Sequence, residues 1–500
     1  MHRSVCRILV RSSFHALSVR VIPPVLLTFA GAAFASSALA DDIPAEDRVA
    51  QLERRLEQER ASRAAEREAF EKRLLALERA RATAPTSDEI TAAVESYLQE
   101  KDLFAAAPAE AVVPSGGSLL DVSVILDTTL GASTASDAAL QAYSLGDHDP
   151  KVRGFNARNE ELVLSADVDP YFYGFLDMVY KLDEAGESQF ELEEAYAQTT
   201  SLPCHLQFRV GQFFTEFGRT NPTHPHAWEF LNYPVILGRV FGGDGWRGRG
   251  ARLSWAVPGT CFPVTVLAGL QNARGETQAS FRGVDGDFVG VHRQQDRRTR
   301  SLEDLVYNVR VEASRDFEGC RGTTTALLGV SGAFGPNATG DGGYTDILGA
   351  DLTLKWKPRS TDAGWPFWSW QTEGLWRRFH ADRQTQLVDD GMGGFVPTDF
   401  ASRDYDDWGF YSQVVYGFAR PWTAGVRIDY AHSDGAFAGD HTRASAALTY
   451  YPSEFSRIRL QAGYDRVDGL SRSFPGQSDE NFGLWLNFDF SLGKHGAHKF

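Results

Sequence analysis

The segment Asn481-Phe482-Gly483-Leu484-Trp485-Leu486-Asn487-Phe488-Asp489-Phe490-Ser491-Leu492 alternates without a break. Phe482, Leu484, Leu486, Phe488, Phe490 and Leu492 fall on one set, and Gly483, Trp485, Asn487, Asp489 and Ser491 on the other. Successive side chains of a strand point to opposite faces, so this pattern specifies a half-buried β-strand. Leu348, Ala350, Leu352, Leu354 and Trp356 repeat the pattern, as do Trp422, Ala424, Val426, Ile428 and Tyr430. A soluble β-sandwich would also alternate in this way. Three features point instead to a transmembrane barrel. The segments run roughly ten residues, enough to cross a bilayer at a tilt. Aromatic residues collect at strand ends, as in Trp365-Pro366-Phe367-Trp368, Pro421-Trp422 and Tyr450-Tyr451, which suits an interfacial girdle. The links also alternate between short and long.

Sixteen strands are expected, starting near 119, 159, 171, 188, 204, 249, 262, 303, 321, 346, 368, 405, 421, 443, 456 and 481. Links after even-numbered strands are tight, as at Asp169-Pro170 and Glu318-Gly319, whereas 132–158, 216–248, 273–302 and 381–404 are long and polar. Short turns on the periplasmic side and long loops outside mark an outer-membrane barrel. The even count returns both ends of the barrel to the periplasm. Glu194 breaks the pattern by falling on the apolar set with Phe190, Leu192 and Tyr196, which predicts a bulge or a shifted register there.

The fold class is therefore an all-β transmembrane barrel of sixteen antiparallel strands over 119–500, preceded by a short α-helical coiled coil. Arg3, Arg7, Arg11 and Arg20, the apolar run from Val21 to Phe34, and Ala38-Leu39-Ala40 read as a signal peptide over 1–40. Its removal takes four arginines and moves the formal net charge from -16 to -20. Residues 41–83 read as a periplasmic coiled coil, with Val49, Leu52, Leu56, Phe70 and Leu77 at heptad spacing. Residues 84–118 supply a second short helix and a linker. The acidic balance excludes a general nucleic-acid binder. The sequence contains no Gly-x-Ser-x-Gly elbow, no His-Glu-x-x-His and no phosphate-cradling glycine loop, so an enzyme is not expected. No cofactor is implied.

With the apolar set facing lipid, the other set lines the lumen. Asp167, Asp169, Asp177, Glu191 and Glu193 come from early strands, and Arg209, Arg310, Arg377, Arg427, Arg457 and Arg459 mostly from later ones. The expected lumen has an acidic wall facing an Arg-rich wall, a field that orients polar solutes; mutual pairing into salt bridges is the alternative. The loop 217–249 carries Arg219, Arg239, Arg247 and Arg249 with Trp228, Phe230, Tyr233 and Trp246. A second basic cluster, Arg293, Arg297, Arg298 and Arg300, suits anions or lipopolysaccharide phosphates. His224 and His226 are candidate metal ligands that His148, His292 or Glu229 would complete. A disulfide between Cys261 and Cys320 and free thiols are both open.

The terminal Phe500 behind this last strand resembles the sorting signal of bacterial outer-membrane barrels. From Leu119 onward the pattern resembles porin-like families that place a coiled coil before a sixteen-stranded barrel, among them phosphate-selective-type porins. Gly211-Gln212-Phe213-Phe214-Thr215-Glu216-Phe217-Gly218-Arg219 with His224-Pro225-His226, and the closing His495-Gly496-Ala497-His498-Lys499-Phe500, are similar to uncharacterised Gram-negative outer-membrane proteins. Some of these are labelled zinc-regulated or TonB-dependent. A TonB-type receptor needs a plug domain and about 22 strands, which the segment before Leu119 and the strand count do not supply. The resemblance implies an outer-membrane porin, a third outside loop that folds into the pore, and a homotrimer. Partners would be outer-membrane lipid, lipopolysaccharide and small hydrophilic solutes. The alternatives are a metal-linked (zinc) uptake protein and a barrel-anchored tether.

Overall fold

A computed structural model describes residues 120–493, apart from 183–187, 296, 361–363, 390–394, 437–438 and 475. The signal peptide, the coiled coil, the second helix and the closing hexapeptide lie outside the described residues.

Seventeen hydrogen-bonded segments form the main sheet. Two of them, Gly154–Ala157 and Glu160–Asp167, both pair with the first strand and are one strand interrupted at Arg158-Asn159, which makes sixteen strands. They are β1 (Asp121–Ser133), β2 (those two segments), β3 (Phe172–Leu182), β4 (Ser188–Thr199), β5 (Leu206–Phe214), β6 (Arg247–Ala256), β7 (Val264–Asn272) and β8 (Leu305–Gly319). The remaining eight are β9 (Gly322–Pro336), β10 (Tyr344–Pro358), β11 (Phe367–Ala381), β12 (Arg403–Ala419), β13 (Trp422–His432), β14 (His441–Ser453), β15 (Ser456–Val467) and β16 (Glu480–Gly493). Each is antiparallel to its neighbours, and β1 closes on β16 from Ser123↔Gly493 to Ser133↔Gly483. Closure leaves no strand edge, so lipid meets only satisfied backbone.

The two faces have the polarity of a membrane barrel. Leu126, Val210, Val309, Leu328, Leu348, Val426, Ile428, Leu484 and Leu492 are exposed on the outside. Asp127, Arg310, Asp351, Arg377, Asp407, Asp429, Arg443, Gln461 and Asn487 are buried on the inside. This inversion suits a hydrocarbon solvent outside and a polar interior. Short turns follow even-numbered strands, the tightest being the two-residue links Cys320-Arg321, Arg420-Pro421 and Glu454-Phe455. Cys204, Cys261 and Cys320 are exposed free thiols in such turns, so Cys261 and Cys320 do not bridge.

The expected irregularity falls in β4. Asp177 pairs with Glu194 but the next residue, Met178, pairs with Leu192, so Glu193 is the extra residue of a β-bulge. The bulge switches the facing of the chain: Phe190 and Leu192 remain outside, while Glu193 and Glu194 are both buried inside. Tyr196 accordingly lies within the barrel, stacked on Phe175 and edge-on to Phe213, rather than on the lipid face with Phe190 and Leu192.

Candidate functional site

The segment joining β5 to β6, 215–246, folds into the barrel. Its helix α2 (Val235–Phe241) buries Val235, Ile236, Leu237, Val240 and Phe241. Together with Phe217, Tyr233, Trp246 and Phe281 they pack against Val306, Ile347, Leu375, Tyr411 and Ala431 on the inner faces of the strands. A hydrophobic core thus forms inside a membrane barrel. The run Val235-Ile236-Leu237 in an outside loop was its sequence signal, because a solvated loop does not carry such a run. A second helix, α1 (Asp137–Tyr143), caps another apolar cluster with Leu231, Val467 and Trp485.

Polar wall residues hold the loop's backbone. Gly218 N donates to Ser331 Oγ at 3.1 Å, and Arg219 N donates to Glu373 Oε2 at 3.3 Å. Arg457 donates to the carbonyls of His226 (2.7 Å) and Trp228 (3.0 Å), and Arg459 donates to that of Trp228 at 2.6 Å. Arg443 reaches the Tyr233 carbonyl at 3.2 Å and Arg158 that of Leu231 at 2.7 Å. Asp429 accepts from Val235 N at 3.2 Å. Asn221 clamps the two ends of the loop together, donating to Thr215 O at 2.7 Å and accepting from Trp246 N at 2.7 Å. A buried loop otherwise carries unsatisfied backbone groups, and these contacts satisfy them.

Below the loop, toward the short turns, lies a polar cavity of about 320 Å³. Arg219, Lys355, Arg427 and Arg457 bring positive charge to it and Glu229 negative charge, with Gln371, Gln413, Thr353 and Ser369 between them.

On the opposite wall the loop meets an acidic cluster. His224 Nδ1 lies 3.1 Å from Glu193 Oε2, 3.3 Å from Asp177 Oδ2 and 4.0 Å from Glu161 Oε1. His224 Nε2 is 3.0 Å from Glu194 Oε2, and His226 Nδ1 is 2.8 Å from Glu161 Oε1. His148 Nε2 is 3.3 Å from Glu193 Oε1. Burial alone would lower the His148 imidazole, but the hydrogen bond and charge of Glu193 outweigh it and hold it above the ordinary range. Sequence reading missed Glu161; alternation flagged Glu194 as a break in the strand but did not show that the bulge turns it, with Glu193, into the barrel.

The residues singled out from the sequence divide into several groups. Arg310 pairs with Asp351 at 2.5 Å, Arg377 with Asp407, and Arg427 with Asp429 at 2.9 Å. The Arg-rich wall is therefore largely a ladder of buried ion pairs and loop anchors rather than a bare basic surface. Arg247 pairs with Glu191 and lies 3.6 Å from Glu193. Arg209 donates to Gln198 at 2.8 Å and stacks 4.1 Å from the Tyr196 ring centre. Arg239, on α2, donates to the Ala431 carbonyl at 3.3 Å. Asp167 and Asp169 sit exposed at the short-turn rim, outside the constriction, where Asp169 accepts from Tyr171 N and Phe172 N. His292 turns to Tyr405 and the Ala401 carbonyl, and Glu229 lines the cavity, so neither joins His224. Among the second basic group, Arg297 pairs with Asp341 at 2.5 Å.

The closed barrel, its apolar outer band and its charged interior define a transmembrane barrel of the outer-membrane type. The chain belongs to the same family as an uncharacterized protein of Aquifex aeolicus (strain VF5), to which it is 30% identical over 414 residues, 76% of this chain and 80% of that one. No family model matches it. Similar solved structures include an anion-selective porin from Comamonas acidovorans, at 10% identity and a TM-score of 0.44, covering 75% of this chain and 99% of the porin. The outer membrane channel DcaP of Acinetobacter baumannii is 12% identical with a TM-score of 0.44, covering 75% and 96%. OprB of Pseudomonas putida is 11% identical with a TM-score of 0.42, covering 75% and 94%.

Proposed function

We propose that the protein is an outer-membrane channel passing small hydrophilic solutes, with a preference for anions. The observation that carries this reading is the polar cavity enclosed by the barrel, which Arg219, Lys355, Arg427 and Arg457 line together with Glu229, Arg427 being paired with Asp429 and Arg457 with Asp489. Arginine and lysine in a narrow lumen attract carboxylate- or phosphate-bearing solutes. The inward loop narrows the path, so conductance is small. The reading includes a homotrimer held by the coiled coil, and lipopolysaccharide at Arg293, Arg298 and Arg300.

Planar-bilayer recording under a KCl gradient tests it. The expected result is small stable steps and a reversal potential of anionic sign that moves toward zero in an Arg219→Gln/Lys355→Gln double variant. Folded barrels without conductance would replace the channel with a barrel-anchored tether, the reading that the apolar core inside the lumen would then favour.

A further inference from the structure

We infer that Glu161, Asp177, Glu193 and His224 form a divalent-metal site that ties the inward loop to the barrel wall. The donors come from β2, β3, the bulge of β4 and the loop. Glu161, Asp177 and His224 each offer a ligand atom within 4.8 Å of the others, and Glu193 Oε2 lies 3.1 Å from His224 Nδ1. Donors about 2.1 Å from a tetrahedral ion stand about 3.4 Å apart, close to the 3.1, 3.3 and 4.0 Å separations around His224 Nδ1.

A second observation is independent of that spacing. Asp177 is 1% exposed, and neither of its carboxylate oxygens has a hydrogen-bond partner. Glu161 Oε2 is buried without one as well. Native interiors pair their buried carboxylates, and two under-satisfied ones, Asp177 and Glu161, beside a single imidazole call for a cation. Arg247 is the nearest permanent positive charge on Glu193, at 3.6 Å. Lys181 is already engaged by Asp147, Glu191 and Asp244.

The surrounding groups are arranged as a metal's outer shell. If Nδ1 of His224 ligates, its Nε2–H donates to Glu194 Oε2 at 3.0 Å, the carboxylate–histidine arrangement that orients ligating imidazoles. His226 and Asn159 hold Glu161 Oε1, while His148 holds Glu193 from its far side. One imidazole with three carboxylates suits a divalent first-row ion such as Zn²⁺ or Mn²⁺. Ca²⁺ takes six to eight oxygens, more than this donor set offers. The ion would bind β2, β3 and β4 to the same loop that Arg457 and Arg459 grip from the other wall.

The test uses the full mature protein in detergent, stripped with chelator and confirmed folded by heat-modifiable gel mobility. ZnCl2, MnCl2 and CaCl2 are titrated separately by calorimetry, and Co²⁺ absorption reports the ligand set. The expected result is one Zn²⁺ or Mn²⁺ per chain, a raised Tm, and an intense Co²⁺ visible band. Asp177→Asn and His224→Gln should weaken binding at least about 100-fold, and His226→Gln by about 10-fold as an outer-shell residue, whereas His292→Gln leaves it unchanged. Should Asp177→Asn fail to fold, the wild-type Co²⁺ spectrum and stoichiometry decide alone. Folded wild-type protein with no stoichiometric uptake, or binding that Asp177→Asn leaves intact, would overturn the site and leave His224 as an imidazolium counter-ion.

Discussion

Arg457 offers the sharpest test of how the inward loop is held. Its guanidinium donates to the carbonyls of His226 and Trp228 and to Asp489 Oδ2 at 2.5 Å, and Asp489 is 5% exposed. Arg457→Met keeps most of the volume and removes all three bonds. Breaking a buried ion pair by deleting one partner costs about 3–5 kcal/mol. Because Arg457 borders the polar cavity, water can reach the stranded carboxylate, and the lower end applies. The two carbonyls are worth about 1 kcal/mol together once water replaces the guanidinium, since Arg459 still serves Trp228. The expected loss is therefore about 4 kcal/mol. Arg457→Met/Asp489→Asn removes the unpaired charge and should recover about half of that loss. Urea unfolding in lipid vesicles, read by tryptophan fluorescence, measures both variants, and single-channel recording should show noisier, larger steps as the loop loosens. A single variant within about 1 kcal/mol of wild type, or a double variant no better than the single, would refute the claim that this arginine anchors the loop.

Three further outcomes follow from the same geometry. Gly218 has φ +65, and a Cβ there would lie 1.6 Å from Glu373 Oε1, so Gly218→Ala should destabilise the barrel by at least about 2 kcal/mol in the same unfolding assay. Glu194→Leu separates the two registers of β4. A lipid-facing site would be stabilised by leucine, whereas the bulged strand loses bonds to His224 and Phe214 N and should lose about 1–3 kcal/mol. Maleimide labelling without reductant should modify Cys204, Cys261 and Cys320 from the short-turn side only; protection of Cys261 and Cys320 together would contradict their free state.

The strand pattern was legible because lipid imposes a rule one residue long: each outward position must be apolar whatever its distant neighbours are. The sixteen expected starts accordingly fall near those of β1–β16, as at 188 and 456, and Glu194 announced its bulge by violating the rule. The lumen obeys no such rule. Arg427 and Arg457 read as pore lining from facing alone, yet whether each meets solute, a carboxylate or a loop carbonyl depends on contacts such as Arg457 with His226, 231 positions apart in the chain. The inward path of 215–246 was implied only by resemblance, and its apolar core exists because β8 to β13 bring Val306, Ile347, Leu375, Tyr411 and Ala431 against α2 and its neighbours. The cluster of Glu161, Asp177, Glu193 and His224 likewise forms from four separate segments. Alternation is a local property and survives in the sequence, whereas convergence of side chains across a closed barrel is created only when β1 meets β16.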